Sequence, residues 1–233
     1  MKTRKDKIKY DPKRKAPLNI KLINHETGEQ LDCPCTSERF LNYDTLQASP
    51  IAGFQYNYYS SWILMEKISE TVLYHRPYDV IEIGAGESTI VLGKVTERKN
   101  IDFHSVDIKP EKRSIMHKNH TYHCMTSKEF MAEYDDNPAI VLIDADHRYA
   151  QAKKEFDFFF EKLVPGGIIF LHDTMPPHKE YLRDTACSDV YKLRKELEVQ
   201  NDIMDCLTFP YTAGYMGLTV IIKKQHEGEA WER

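Results

Sequence analysis

Apolar positions from Trp62 onward alternate between two rhythms. Trp62, Met65, Ile68 and Val72 recur at helical spacing behind Ser60 and Ser61, which offer an N-cap, until His75-Arg76-Pro77 stops the run. The compact run YDVIEIG (78–84) predicts a strand. After a glycine-broken turn, Ile90, Val91, Leu92 and Val95 return to the helical period. DFHSVDI (102–108) is a second strand, and Pro110 opens a further helix at the position where proline is favoured. TYHCM (121–125) is a weaker strand, and Ser127 is placed to cap a short helix. AIVLID (139–144) is a buried strand, Tyr149 to Leu163 a phenylalanine-rich helix, and IIFLHD (168–173) another buried strand after Pro165-Gly166-Gly167. A helix through Val190, Leu193, Leu197 and Val199 precedes DIMDCLTF (202–209) and YMGLTVIIKK (215–224).

Strands that alternate with helices and are apolar on both faces imply a parallel sheet covered on both sides. The last two strands are joined by a turn too short for a crossover, so they should be antiparallel neighbours. The expected fold is α/β: a Rossmann-like doubly wound sheet of about seven strands, mostly parallel, with an antiparallel C-terminal strand. Residues 1–56 follow neither rhythm. We expect them to form an N-terminal extension that partly covers the ligand site, and residues 57–233 to form the main domain.

With 41% hydrophobic and 11% aromatic residues in 233, the chain can bury one sizeable core. It has no apolar run long enough to span a membrane and no apolar segment behind its basic N-terminus, so the expectation is a soluble, cytoplasmic protein. Five scattered cysteines suit reduced thiols, and Cys33-Pro-Cys35 reads as two loop cysteines for want of a second ligand pair. The first 21 residues hold nine Lys/Arg against two Asp, or +7, while the rest carries 23 basic against 34 acidic residues, or −11. Such a tail either contacts nucleic acid or is a solvated terminus, and the second reading is preferred. Homo-oligomerisation is left open.

Candidate chemistry sits at the strand ends, where ligands of open α/β sheets collect. The first strand runs into Glu82-Ile83-Gly84-Ala85-Gly86-Glu87-Ser88-Thr89. The second ends in Asp107, 23 residues beyond Gly84, where a carboxylate can accept both ribose hydroxyls. This points to an adenosine-containing cofactor. A dinucleotide fingerprint would place glycine at position 89, where Thr89 stands, which disfavours a dehydrogenase.

Glu82 ahead of alternating glycines resembles the first motif of class I S-adenosylmethionine-dependent methyltransferases, although Ser88 replaces a third glycine. GAGEST, IDADH and PGGIIFLHDT are most similar to the small O-methyltransferase branch that includes macrolide, sugar and catechol enzymes. The resemblance spans roughly Trp62 to Lys224. It implies that Glu82, Gly84, Gly86 and Ser88 line the methionine end of S-adenosylmethionine, that Asp107 holds its ribose, and that Ser127 lies near adenine. Asp144 counts both among the cofactor-binding residues and, with Asp173, as a ligand for Mg²⁺ or another divalent cation. Thr174 stands where related enzymes have a further Asn or Asp.

Methyl transfer to a hydroxyl needs a base, for which Asp146 and His147 are the candidates. His172, preceding Asp173, should point to the opposite face. The expected acceptor is a hydroxyl of a small molecule or glycoside, recognised in part by Tyr43, Phe54, Tyr56, Tyr58 and Tyr59. The alternatives are a non-catalytic S-adenosylmethionine-binding regulator and a nucleic-acid methyltransferase using the basic tail. An amino-methylating enzyme is disfavoured, because Asp144-Ala145-Asp146-His147 occupies the place of an Asn/Asp-Pro-Pro-aromatic motif.

Overall fold

The apolar runs around Ile81, Val141 and Ile169 lie side by side in the middle of one seven-stranded sheet. The computed structural model describes residues 22–23, 30–31, 60–112, 115–176, 179–184, 186–200, 202–209 and 216–225. The chain divides into two units, Met1–Tyr58 and Tyr59–Arg233. In the first, Leu22–Ile23 pairs antiparallel with Gln30–Leu31. The basic tail, Cys33, Cys35 and the tyrosines and phenylalanine expected at the acceptor lie outside the described residues.

The second unit runs α1 (Ser60–His75), β1 (Val80–Ile83), α2 (Glu87–Lys99), β2 (Phe103–Asp107), β3 (His120–Cys124), α3 (Ser127–Glu133), β4 (Ile140–Ile143), α4 (Tyr149–Lys162), β5 (Ile168–His172), α5 (Tyr191–Leu197), β6 (Met204–Phe209) and β7 (Leu218–Lys223). Its strand order is β3-β2-β1-β4-β5-β7-β6. Neighbours from β3 to β5 are parallel, and β7 runs antiparallel to both β5 and β6, as the short final turn required.

Alternation along each strand divides the core into two layers. Ile81, Ile83, Val141, Ile143, Ile169 and Leu171 pack with Phe156, Phe159 and Leu163 of the α4 segment and Leu193 and Leu197 of α5. The intervening Val80, Ile140, Leu142, Ile168 and Phe170 are also buried, on the side of α1 and α2, which pack on each other. Burial on both faces is why these strands read as unbroken apolar runs.

Three local expectations change. Among the described residues, the segment from Pro110 forms a 3₁₀ turn, Pro110–Lys112, and residues 115–119 are not helical. No apolar face at helical spacing follows the proline to hold a longer helix against the sheet. The cap of α3 is Thr126: its hydroxyl accepts the Glu129 N–H at 3.2 Å, and the Glu129 carboxylate accepts the Thr126 N–H at 2.8 Å. Finally, α5 ends at Leu197, and Val199 is exposed beyond it.

The chain winds outward from β1 in one direction and from β4 in the other, so the carboxyl ends of β1 and β4 flank the switch point. Here Gly84 adopts φ +95°, and a Cβ on it would fall 2.3 Å from the Asp144 carbonyl oxygen. A Cβ on Gly86, in contrast, would meet nothing within 4 Å. Gly84→Ala is therefore expected to cost roughly 2–4 kcal/mol and lower the melting temperature by about 5–15 °C. Gly86→Ala should leave stability within about 0.5 kcal/mol of the parent. Thermal unfolding of the two variants checks the contrast, and equal losses would contradict it.

Candidate active site

Beneath the glycine turn lies Glu82, fully buried. Its carboxylate accepts hydrogen bonds from the hydroxyls of Ser88, of Thr89 at 2.7 Å and of Ser105 at 2.6 Å. Burial pushes its pKa up to about 7 against the lowering effect of those hydroxyls. Glu82 and Ser88, expected along the methionine end of a cofactor, direct their side chains inward and tie β1 and β2 to the first turn of α2. The open side of the turn belongs to Gly86.

At the end of β2, Asp107 accepts the Lys109 N–H at 2.9 Å, and Lys112 Nζ lies 3.3 Å from its other oxygen. The Lys112 ammonium also donates to the Ala85 carbonyl at 2.7 Å, linking the glycine turn to Asp107. At the start of α3, Ser127 donates to Glu155 Oε1 at 2.6 Å, and Gln151 donates to both.

Across the switch point, Asp144, His147, His172 and Asp173 converge. Asp144 Oδ1 lies 2.9 Å from His172 Nδ1 and 3.2 Å from His147 Nε2. His147 Nδ1 faces the Ala186 carbonyl at 2.9 Å and Asp173 Oδ2 at 3.7 Å, while Asp173 Oδ1 lies 3.3 Å from His172 Nδ1. The His172 ring stacks on Trp62 of α1 at 4.9 Å. Burial opposes charge on Asp144, yet the two imidazoles hold its carboxyl well below the usual range. Burial likewise opposes the imidazolium of His147, but the carboxylates raise it to about 9, and they also raise His172.

The expectation for His172 thus fails, for a geometric reason. Leu142 pairs with Phe170, so Asp144 and His172, each two residues further on, share a face. Asp173 then leaves the strand at φ 57°, which breaks the alternation and returns its carboxylate to the same cluster.

Asp146 lies apart from that cluster. Arg148 Nε donates to its two oxygens at 2.9 and 3.0 Å, and Arg148 Nη2 contacts Oδ2 as well. The hydrogen bonds from Arg148 hold the Asp146 carboxyl below its ordinary pKa. Asp146, His147 and Asp173 line a cleft of about 540 Å³ together with Ala145, Arg148, Asp184 and Ala186.

A family model described as a methyltransferase domain matches residues 81–174, which run from β1 through β5 to Thr174. The chain carries a methyltransferase domain. Its sheet has the strand order and the antiparallel closing strand expected from the resemblance carried by the strand-end motifs. The dehydrogenase reading is thereby set aside.

Solved structures share the fold at low identity. A putative caffeoyl-CoA O-methyltransferase from Staphylococcus aureus superposes with a TM-score of 0.54 at 13% identity, over 69% of this chain and 83% of that one. An O-methyltransferase from Bacillus cereus, in complex with S-adenosylhomocysteine, gives 0.52 at 17% identity over 80% and 91%. A mycinamycin-pathway methyltransferase, in complex with Mg, S-adenosylhomocysteine and mycinamycin VI, gives 0.51 at 17% identity over 72% and 51%. No curated protein sequence matches the chain. Among the described residues no helix is long and apolar enough to cross a membrane.

The donors in the methyltransferase's cleft do not suit Mg²⁺. Thr174 is fully buried, and its hydroxyl is hydrogen-bonded to that of Thr219 at 2.7 Å, away from the carboxylates. The two carboxylates expected to hold Mg²⁺, Asp144 and Asp173, are both paired with the imidazoles of His147 and His172, whereas Mg²⁺ demands an octahedron of oxygens. No step is derived through that ion.

The buried Glu82 supplies a stability signature. Its folded pKa of about 7 lies above the ordinary 4.5, so its contribution is fully present below pH 4.5 and is lost as pH rises through 7. The methyltransferase should lose roughly 3 kcal/mol of stability between pH 5 and pH 8 from this group. Glu82→Gln should flatten the decline in denaturant unfolding at the two pH values, and parallel declines would refute the assignment.

Proposed function

We propose that the methyltransferase transfers the sulfonium methyl of S-adenosylmethionine to a hydroxyl of a small molecule. The observation that carries this reading is the contact of Gly84 with Asp144, which sets the glycine turn of β1 directly beside the cleft at the ends of β4 and β5. The open side of Gly86 admits the methionine end of the cofactor, Asp107 accepts the ribose hydroxyls and Ser127 stands near adenine. Glu82 and Ser88 hold the turn in shape from beneath. Asp144 closes the cofactor side of the cleft.

The acceptor oxygen attacks the methyl carbon, the carbon–sulfur bond breaks and S-adenosylhomocysteine leaves, while the hydroxyl proton passes to a base within reach. Between the two candidates, Asp146 fits that role better. Both nitrogens of His147 are engaged, by Asp144 and by the Ala186 carbonyl, so the ring has no lone pair turned to the cleft. The Asp146 carboxylate faces the cleft, and its partner Arg148 is 69% exposed, so a substrate hydroxyl can take over one of its hydrogen bonds.

An acceptor hydroxyl is supported by fold likeness to the Staphylococcus and Bacillus O-methyltransferases, and a small-molecule acceptor by the structure containing mycinamycin VI. Methylation of an exocyclic amine has no matching Asn/Asp-Pro-Pro segment after β4.

Two variants test the division of roles. Asp107→Asn should weaken S-adenosylhomocysteine binding at least tenfold by calorimetry. Asp146→Asn should keep that affinity and slow labelled-methyl transfer to a hydroxyl acceptor by about 10²-fold or more. Full turnover in Asp146→Asn would remove it as the base. Undiminished binding in Asp107→Asn would remove the cofactor placement.

A further inference from the structure

We propose that His120 is a positioning residue for the glycine turn: its Nε2–H aligns the Ser105 hydroxyl on Glu82, and Glu82 holds residues 84–89 in the shape that receives S-adenosylmethionine. The inference rests on the reading of that turn as the cofactor's, and it extends the turn's support to β3, two strands away from β1.

The direction of each hydrogen bond follows from the first. The Met116 backbone N–H, which can only donate, meets His120 Nδ1 at 3.0 Å. Nδ1 therefore carries the lone pair and Nε2 the hydrogen, which is given to Ser105 Oγ, 3.0 Å away. With its oxygen so occupied, Ser105 donates its own hydrogen to Glu82 Oε2 at 2.6 Å. The same arrangement repeats on the turn, where the Gly86 N–H donates to Thr89 Oγ1 at 3.0 Å and Thr89 donates to Oε2 at 2.7 Å. Both hydroxyls on Oε2 thus keep their oxygen on an N–H and their hydrogen on the carboxyl.

His120 is held to this one role by its surroundings. The buried ring stacks on Phe103 of β2 at 4.3 Å, with an interplanar angle of 21°. Burial, with the imidazoles of His117, His104 and His123 nearby, pushes its pKa down to about 4, so the ring stays neutral and keeps the Nδ1 lone pair. The segment that supplies the Met116 N–H is fixed to α2, whose first turn carries Ser88 and Thr89. The Met116 side chain fills the space over Gly93, where a Cβ would fall 2.5 Å from Met116 Cγ, and His117 Nε2 lies 2.9 Å from Thr96 Oγ1.

A hydroxyl rotates to suit its partners, and Ser105 is fully buried. An N–H given to its oxygen polarises the O–H and strengthens the bond to Glu82. That bond lowers the Glu82 pKa, against burial and the charge of Asp144, which raise it. Loss of the Nε2–H should therefore push Glu82 further up and loosen the turn. Phenylalanine at position 120 keeps a ring against Phe103 and loses the donor. Glutamine keeps an amide N–H at the reach of Nε2 and loses the ring, so the two substitutions separate positioning from packing.

The test compares the full chain with its His120→Phe and His120→Gln variants. The Glu82 carboxyl is titrated by carbon-13 NMR, its signal assigned with Glu82→Gln, and S-adenosylhomocysteine affinity is measured by calorimetry at neutral pH. His120→Phe should raise the Glu82 midpoint by about half a pH unit or more and weaken binding about fivefold, whereas His120→Gln should hold both near the parent. A midpoint unmoved by His120→Phe, or a larger loss in His120→Gln than in His120→Phe, overturns the inference. Failure of the parent to bind S-adenosylhomocysteine overturns the cofactor reading instead, and the carboxyl titration still decides the link from His120 to Glu82. Should His120→Phe fail to fold, nitrogen-15 NMR of the unmutated protein decides: a His120 ring with hydrogen on Nε2 alone supports the inference, and hydrogen on Nδ1 refutes it.

Discussion

The approach of β1 to β4 at their carboxyl ends is the constraint on which the site depends. Gly84, at φ +95°, lets the backbone turn against the Asp144 carbonyl, where any Cβ would fall 2.3 Å from that oxygen. The Asp144 N–H donates to the Ile83 carbonyl at 2.8 Å and locks the same junction from the other strand. With that contact made, the turn that leads into α2 and the segment that leads into α4 open on the same edge of the sheet. On the proposed function, cofactor and acceptor are then neighbours by construction.

Two buried polar systems hold this edge in shape. Glu82 gathers Ser88, Thr89 and Ser105 beneath the glycine turn, so that one carboxylate joins two strands and a helix start. Asp144 gathers His147 and His172 on the other side, with Asp173 returned to them by its left-handed backbone. The two carboxylates differ in kind. Glu82 meets only neutral hydroxyls and is pushed toward its protonated form, whereas Asp144 meets imidazoles and stays ionised. One acts as a neutral brace and the other as a fixed negative charge held between two imidazoles.

Much of this was legible in the sequence. The buried strands announced themselves because both faces are covered, and Gly84, Gly86, Asp107, Asp144 and Asp146 stand at strand ends as their spacing implied. What was not legible came from tertiary contacts and from local breaks in regular geometry. The alternation rule sent His172 away from the cluster because it assumed an unbroken strand through Asp173. The inward turn of Ser88 depends on Glu82 being buried, and the engagement of both His147 nitrogens depends on Ala186, 39 residues away. Pairwise partners at such separations leave no periodic trace. Thr174 was the ambiguous position as a ligand, and the hydroxyl of Thr219 on β7 decides it.

The central claim is that the strand ends form one cofactor-and-acceptor site around the Gly84–Asp144 junction. A crystal structure with S-adenosylhomocysteine bound tests it most directly. The account predicts ribose hydroxyls on Asp107, the homocysteine beside Gly86 and the sulfur directed toward the cleft lined by Asp146 and His147. A ligand bound with its ribose away from Asp107, or with its sulfur turned from that cleft, would contradict it.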